Sequence, residues 1–232
     1  SYTSYSQSLG YEDLSTMFSR NDRNGSARFV AMGGAFGAVG GDVTAMTINP
    51  AGISIFNDSN ASIAFQSRST DYLTTYYGNS TTTQQDFFKV SNAGVVFTFN
   101  NYTSDEWSKL AMGINYRVLA DFEDTFIAKG TSGFASFDNF PLDNSENPLV
   151  YDIADNQQLS NFYNGDMSEL SFAFSGVYEE KIHVGAGLNF YDLNFSQQTI
   201  LRENNNDGNN NTLNARLYQE NFTTGVGFSL SA

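Results

Sequence analysis

The chain has 232 residues, a formal net charge of −14, no cysteine and one histidine. This length suits one domain of ordinary size. The negative charge argues against a nucleic-acid partner, which needs surplus Lys and Arg on one face, and the lack of thiols excludes disulfides and thiolate metal sites. Aromatic residues make up 15% and charged residues only 16%, the balance of an aromatic-rich β protein.

No run of about 18 apolar residues is present, so no transmembrane helix is expected. Ser1 is expected to follow a removed signal peptide. The first apolar stretch, FVAMGGAFGAVGG at 29–41, matches neither G-x-G-x-x-G nor a phosphate loop, and it is too rich in glycine for a stable helix. A compact coil of small residues, with Gly33 and Gly34 at its centre, is expected there. Asp42 then stands as the N-cap of a short helix over 43–48. Pro50 ends that helix, and Asn49, Pro50, Ala51 and Gly52 carry the residue preferences of a type I turn. Residues 1–57 therefore read as an extension and a small plug, or as an ordinary cap on a β domain.

Beyond residue 58 the chain alternates. Six strands are expected: over 61–66, 93–99, 110–122, 170–178, 182–191 and 222–230. On each, large apolar residues such as Ile114, Phe174, Leu188 and Phe228 share one face, and Gly, Ser and Asn occupy the other. Only Val96 breaks the pattern. A soluble sandwich would place Lys, Glu and Thr on its watery face; apolar residues outside a polar interior are the inverted pattern of a transmembrane β-barrel. Both stay open on alternation alone. The connections are expected to alternate long and short, with long ones at 68–86, 124–168 and 202–216 and short ones at 101–109 and 178–181, as in outer-membrane barrels. The acidic segments 139–166 and 203–211 are expected to be exposed. Tyr72, Phe87, Phe88, Trp107, Tyr178, Phe195 and Tyr218 are placed where interfacial aromatic girdles would lie, and each taken singly equally suits packing under a loop.

The stretch ARFVAMGGAFGAVGGDVTAMTINPAGISIF, residues 27–56, resembles the N-terminal segment of the FadL/TodX family of outer-membrane transporters. The likeness is sharp over about thirty residues and continues beyond as strand rhythm. It implies an all-β fold: a transmembrane antiparallel barrel of about fourteen strands, with Asn49, Pro50 and Ala51 as the hatch motif inside the lumen. It also implies a function, passive transport of hydrophobic molecules such as long-chain fatty acids across the outer membrane of a Gram-negative bacterium, with the long loops outside. Six strands cannot enclose a hatch, so residues 58–232 are expected to be the front part of such a barrel.

The expected partners are outer-membrane lipid and a fatty-acid-like or detergent-like ligand. The alternative is an accessory barrel subunit bound to other outer-membrane proteins in an assembly or secretion complex. Arg117, Asp121, His183 and Asn189 face the expected lumen and either line a ligand path or fill a hatch interface. No cofactor, metal or catalytic residue is assigned, since His183 has no nucleophile motif. The run from Glu203 to Gly208 echoes a calcium loop, but Asn214 stands where the bidentate Glu belongs.

Overall fold

The computed structural model describes residues 11–20, 22, 24–100, 106–140 and 142–232; the expected processing site before Ser1 and most of the short connection at 101–109 lie outside them. Two short helices open the described chain, α1 (Tyr11–Phe18) and α2 (Ala27–Ala31), and two 3-10 helices follow, Thr44–Thr47 and Pro50–Ile55. The strands are β1 (Asn60–Tyr76), β2 (Asn79–Asn100), β3 (Trp107–Asp121), β4 (Asp124–Gly130), β5 (Ile153–Tyr178), β6 (Ile182–Asn206) and β7 (Thr212–Ser231). They form one antiparallel sheet in the order β1-β2-β3-β5-β6-β7, with β4 pairing β5 beyond the point where β3 ends. The sheet is open, with β1 and β7 at its edges. No helix among the described residues is long and apolar enough to cross a membrane.

The six alternating segments fall in β1, β2, β3, β5, β6 and β7, with Phe122 alone one residue past β3. The strands are much longer than those segments. Residues 68–86, expected as a polar loop, are the far half of the β1–β2 hairpin, turned by Tyr77 and Gly78 at φ 44° and 80°. Two positive φ values give the turn whose twist matches that of paired strands. Thr and Tyr crowd both faces there, so hydrophobic alternation vanishes although strand preference persists. The expected loop at 124–168 likewise contains β4 and the first half of β5, leaving 131–152 as the connection. The one at 202–216 shrinks to 207–211. The tight connection at 179–181 is present. The Tyr77 turn, 131–152 and 207–211 mark the far end of the sheet; the end of β2, the start of β3 and the turn at 179–181 mark the near end.

A bulge between Val118 and Ala120 changes the parity of β3. Val118, Ala120 and Phe122, expected to continue the outer apolar row, are buried instead. Phe87 and Phe195, expected either at an interfacial girdle or packed under a loop, are buried as well. Ala120, Phe122 and Phe195 form an apolar core against which Leu14, Met17 and Phe18 pack. The Phe18 ring meets Phe122 and Phe195 edge-on at 5.5 and 5.6 Å. Trp107 and Tyr178 pair at the near end, 5.4 Å apart.

Two devices satisfy backbone at the far end. On the side of β4 away from β5, Ile127 N donates to Thr83 Oγ1 at 3.1 Å and Ile127 O accepts from Thr74 Oγ1 at 2.6 Å, so hydroxyls complete an edge that has no neighbouring ladder. Glu203, expected in a solvated loop, is buried in β6. Its carboxylate accepts from Ser136 N at 3.0 Å, Phe137 N at 3.2 Å, Gln157 Nε2 at 2.7 Å and Asn205 Nδ2 at 3.3 Å.

Burial alone would raise the Glu203 pKa, but these donors outweigh it and hold the carboxyl below its ordinary value of 4.5. A depressed folded pKa stabilises the docked connection above the ordinary value, and the contribution fades as pH falls through the folded one. Hydrogen exchange of residues 131–137, taken relative to the intrinsic rate at each pH, should therefore be flat from about pH 7 to about pH 5 and accelerate below that. Glu203→Gln should accelerate it already at neutral pH, at a cost of about 1 to 3 kcal/mol for the orphaned amides.

Candidate functional site

The two faces of the sheet are inverted relative to a sheet in water. Ile63, Phe97, Leu110, Ile114, Phe174 and Val184 are exposed on one face, and on β7 Val226 and Phe228 are 89% and 74% accessible. On the other face Asn92, Asn115, Ser171, Ser175 and Asn189 are buried. The N-terminal segment lies against that polar face.

The plug is assembled from caps and turns. Ser26 Oγ accepts from Phe29 N at 3.0 Å and starts α2, a helix where an irregular coil is expected from the glycine content. Gly34 N bonds Phe29 O and Gly33 N bonds Val30 O, both at 3.0 Å. With Gly33 and Gly34 at φ 62° and 77°, these are the paired bonds of a Schellman ending. Glycine therefore stops the helix rather than preventing it. Asp42 does not cap an α-helix; the 3-10 helix Thr44–Thr47 begins after Val43. The Asp42 carboxylate accepts from Thr44 N at 2.9 Å and from Ser26 Oγ at 2.5 Å, which closes the plug on itself.

The Asn49–Gly52 turn is the first turn of the second 3-10 helix. Asn49 Oδ1 accepts from Gly52 N at 3.2 Å, and Pro50 occupies the first helical position. Gly41 N donates to Gly52 O at 3.0 Å and ties the two limbs of the plug together.

Wall and plug meet in three ways. Val43, Met46 and Ile53 pack on Val96, Ala111 and Ala173, so the apolar residue that breaks the alternation over 93–99 is a docking point. Polar bonds cross as well: Thr44 Oγ1 donates to Asn92 Oδ1 at 3.3 Å, Ser175 Oγ to Ala51 O at 3.1 Å, and Lys109 Nζ to Phe56 O at 3.0 Å. Finally, the wall carries glycine where the plug comes closest. A Cβ on Gly94 would lie 2.6 Å from Val43 Cγ1, and one on Gly185 would lie 2.6 Å from Ala51 Cα and 2.7 Å from Pro50 C. Pro50 and Ala51 thus sit backbone to backbone on β6.

The four expected lumen residues serve separate contacts. Arg117 Nε donates to Glu169 Oε2 at 3.0 Å inside the sheet, and its guanidinium lies 5.6 Å from the Phe29 ring. Asp121 pairs with Lys89 and lies 3.7 Å from Arg68. Asn189 Nδ2 donates to Ser229 Oγ at 3.2 Å. His183 Nδ1 is 2.6 Å from Ser54 Oγ, and that hydroxyl donates to Ala51 O at 2.7 Å. The Ser54 hydroxyl thus joins the second 3-10 helix to β6 through His183. Sequence reasoning missed Glu169, Lys89 and Arg68: isolated charges on a strand carry no motif, and only pairing brings them together.

Cavities flank the plug at both ends. One of about 530 Å³ at the near end is lined by Ser54, Asn57, Lys109, Glu180 and His183. One of about 160 Å³ lies beside α1, lined by Met17, Arg68, Asp121, Phe122 and Tyr163. The described residues hold no cluster of three or more His, Cys, Asp or Glu fit for a metal ion. Asp207, in the calcium-like run, accepts from Asn209 N at 2.7 Å and Asn211 Nδ2 at 2.7 Å and so closes its own turn. Compared with protein-family models, curated proteins and solved structures, the chain matches none of them.

The approach at Gly185 can be tested directly. Gly185→Ala puts a methyl against backbone that has no rotamer to relieve it, an overpacking cost of about 1 to 3 kcal/mol. Hydrogen exchange should speed up across residues 40–56 and stay unchanged in β5 and β6. Equal loosening of plug and strands would show that the plug is not a separate unit.

Proposed function

We propose that this chain is the front part of an outer-membrane β-barrel that passes hydrophobic molecules, such as long-chain fatty acids, across the outer membrane of a Gram-negative bacterium without chemical change. The observation that carries this reading is the inverted sheet, with apolar side chains turned outward and a polar face buried under its own N-terminal segment. In a lipid bilayer that arrangement puts each face in its favoured surroundings, since hydrocarbon meets Leu and Phe while the backbone is satisfied by strand pairing. The two edges, β1 and β7, would then pair with further strands. β5 and β6 span 26 and 25 residues, far more than the 9 to 11 or so a tilted membrane strand needs, so their far halves stand clear of the bilayer on the outer side.

The route follows from the inner face. A hydrophobic molecule captured at the far end enters the apolar region of Phe122, Phe195 and Met167, where α1 now packs. Burial there gains about 0.8 kcal/mol per methylene, so few polar contacts are needed. Two exits are compatible with the geometry. The plug can shift from its glycine seats, or the molecule can leave sideways where β2 and β3 cease to pair beyond Asn92 and Arg117. Beyond that point, Lys89 with Asp121 and Glu123 bridges the two strands.

The alternative role, an accessory subunit of an outer-membrane complex, is favoured by the exposed apolar connection 131–152. Stoichiometric copurification of a protein from mild detergent would support it over bound lipid.

Membrane placement predicts that Ile114→Arg costs about 2 to 4 kcal/mol when the protein is folded into lipid. Leu73→Arg, exposed on the far half of β1, should be close to neutral; equal tolerance of both would mean that water, not lipid, covers Ile114. The transport step predicts that Asn49→Ala with Pro50→Ala removes a side-chain cap and a fixed backbone angle from the plug while leaving the strands folded. Uptake of a fluorescent fatty acid by cells, or their sensitivity to bulky toxic solutes, should change at unchanged barrel level. Unaltered uptake and permeability with a folded barrel would defeat the hatch role.

A further inference from the structure

The connection 131–152 combines a tied backbone with untied apolar side chains. Thr131 Oγ1 donates to Ala154 O at 2.6 Å, Ser132 N to Gln157 Oε1 at 2.8 Å, Ala135 N to Asp152 O at 3.0 Å and Tyr151 N to Asp138 O at 2.7 Å. Glu203 holds Ser136 N and Phe137 N, and Asn205 Nδ2 donates to Phe137 O at 2.8 Å. An isolated bridge joins Asn139 to Val150. A loop held at this many points still turns Phe134, Phe137, Phe140, Leu142, Leu149 and Val150 outward, with Phe134 and Leu142 79% and 78% accessible. Exposed aromatic residues on a pre-ordered backbone are the anchors of an interface, because the ordering cost is met before the partner arrives.

Charge selects the partner. Residues 131–152 contain Asp138, Asp143, Glu146 and Asp152 and no Lys, Arg or His. An anionic amphiphile such as a fatty acid would bring its carboxylate against these four, whereas Lys or Arg interspersed with apolar residues would complement them. We infer that the far-end connection 131–152 is a docking platform for a basic, apolar-faced polypeptide segment. The inference needs the far end to be free of the membrane and does not depend on transport.

The test uses the full chain in nanodiscs of zwitterionic phosphatidylcholine, with empty discs subtracted. Three labelled peptides of about 14 residues serve as probes: amphipathic Lys/Leu, amphipathic Glu/Leu, and Lys/Ser. The Lys/Leu peptide should bind about tenfold tighter than the other two. That affinity should fall about tenfold in Phe134→Ser with Leu142→Ser, and again in Asp138→Asn with Glu146→Gln. The same number of neutralisations on the β1–β2 hairpin, Asp71→Asn with Asp86→Asn, should leave it unchanged. Equal binding of Glu/Leu, an equal loss with the hairpin variant, or no binding of any peptide would overturn the proposal. So would oleate binding that is lost in the Phe134→Ser, Leu142→Ser variant.

Discussion

A side chain at residue 185 would place its Cβ 2.6 Å from Ala51 Cα, so wall and plug touch there backbone to backbone. Such an approach is open only to glycine on the strand, and much of the arrangement follows from it. With the second 3-10 helix seated on β6, Ala51 O is within reach of Ser175 and Ser54 within reach of His183. Ile53 and Met46 fall onto Val96, Ala111 and Ala173. The small residues on the inner face are therefore the negative image of the plug, and the bulky residues on the outer face have no counterpart among the described residues.

The charges of the inner face obey the same constraint. Arg117 and Glu169 are both buried and bonded to each other. Removing either partner would strand a charge away from water, which is far costlier than the net gain of forming the pair. Their placement beside Phe29 gives the pair a second role, since the guanidinium forms part of the surface on which α2 rests. Lys89 and Asp121 act differently. They join β2 to β3 where the backbone ladder has ended, replacing a directional set of amide bonds by ion pairs that solvent and salt can weaken.

Toward the far end the problem changes from packing to backbone satisfaction. Thr74 and Thr83 serve β4, and Glu203 with Gln157 and Asn205 serves the 131–152 connection. Polar strands can stand in water on such terms. The same polar content hides them from a search for hydrophobic period, and the far halves of β1 and β5 escaped sequence reading for that reason.

The amino-acid sequence by itself determined the strand character and the identity of the two faces near residues 93–99, 110–116 and 182–190, through alternation, and the turn at Asn49–Gly52, through local residue preferences. Each depends on neighbours only a few residues apart, through side-chain period or local backbone preference. Tertiary structure alone decided the parity change at Val118, the burial of Phe87 and Phe195, the pairing of Arg117 with Glu169, and the docking of Val96 against the plug. It also decided that Glu203 is an anchor instead of a solvated acid. Each of these rests on contacts between residues far apart in the chain. A bulge, a carboxylate and a valine look the same in sequence whether or not a distant amide, guanidinium or methionine comes to meet them.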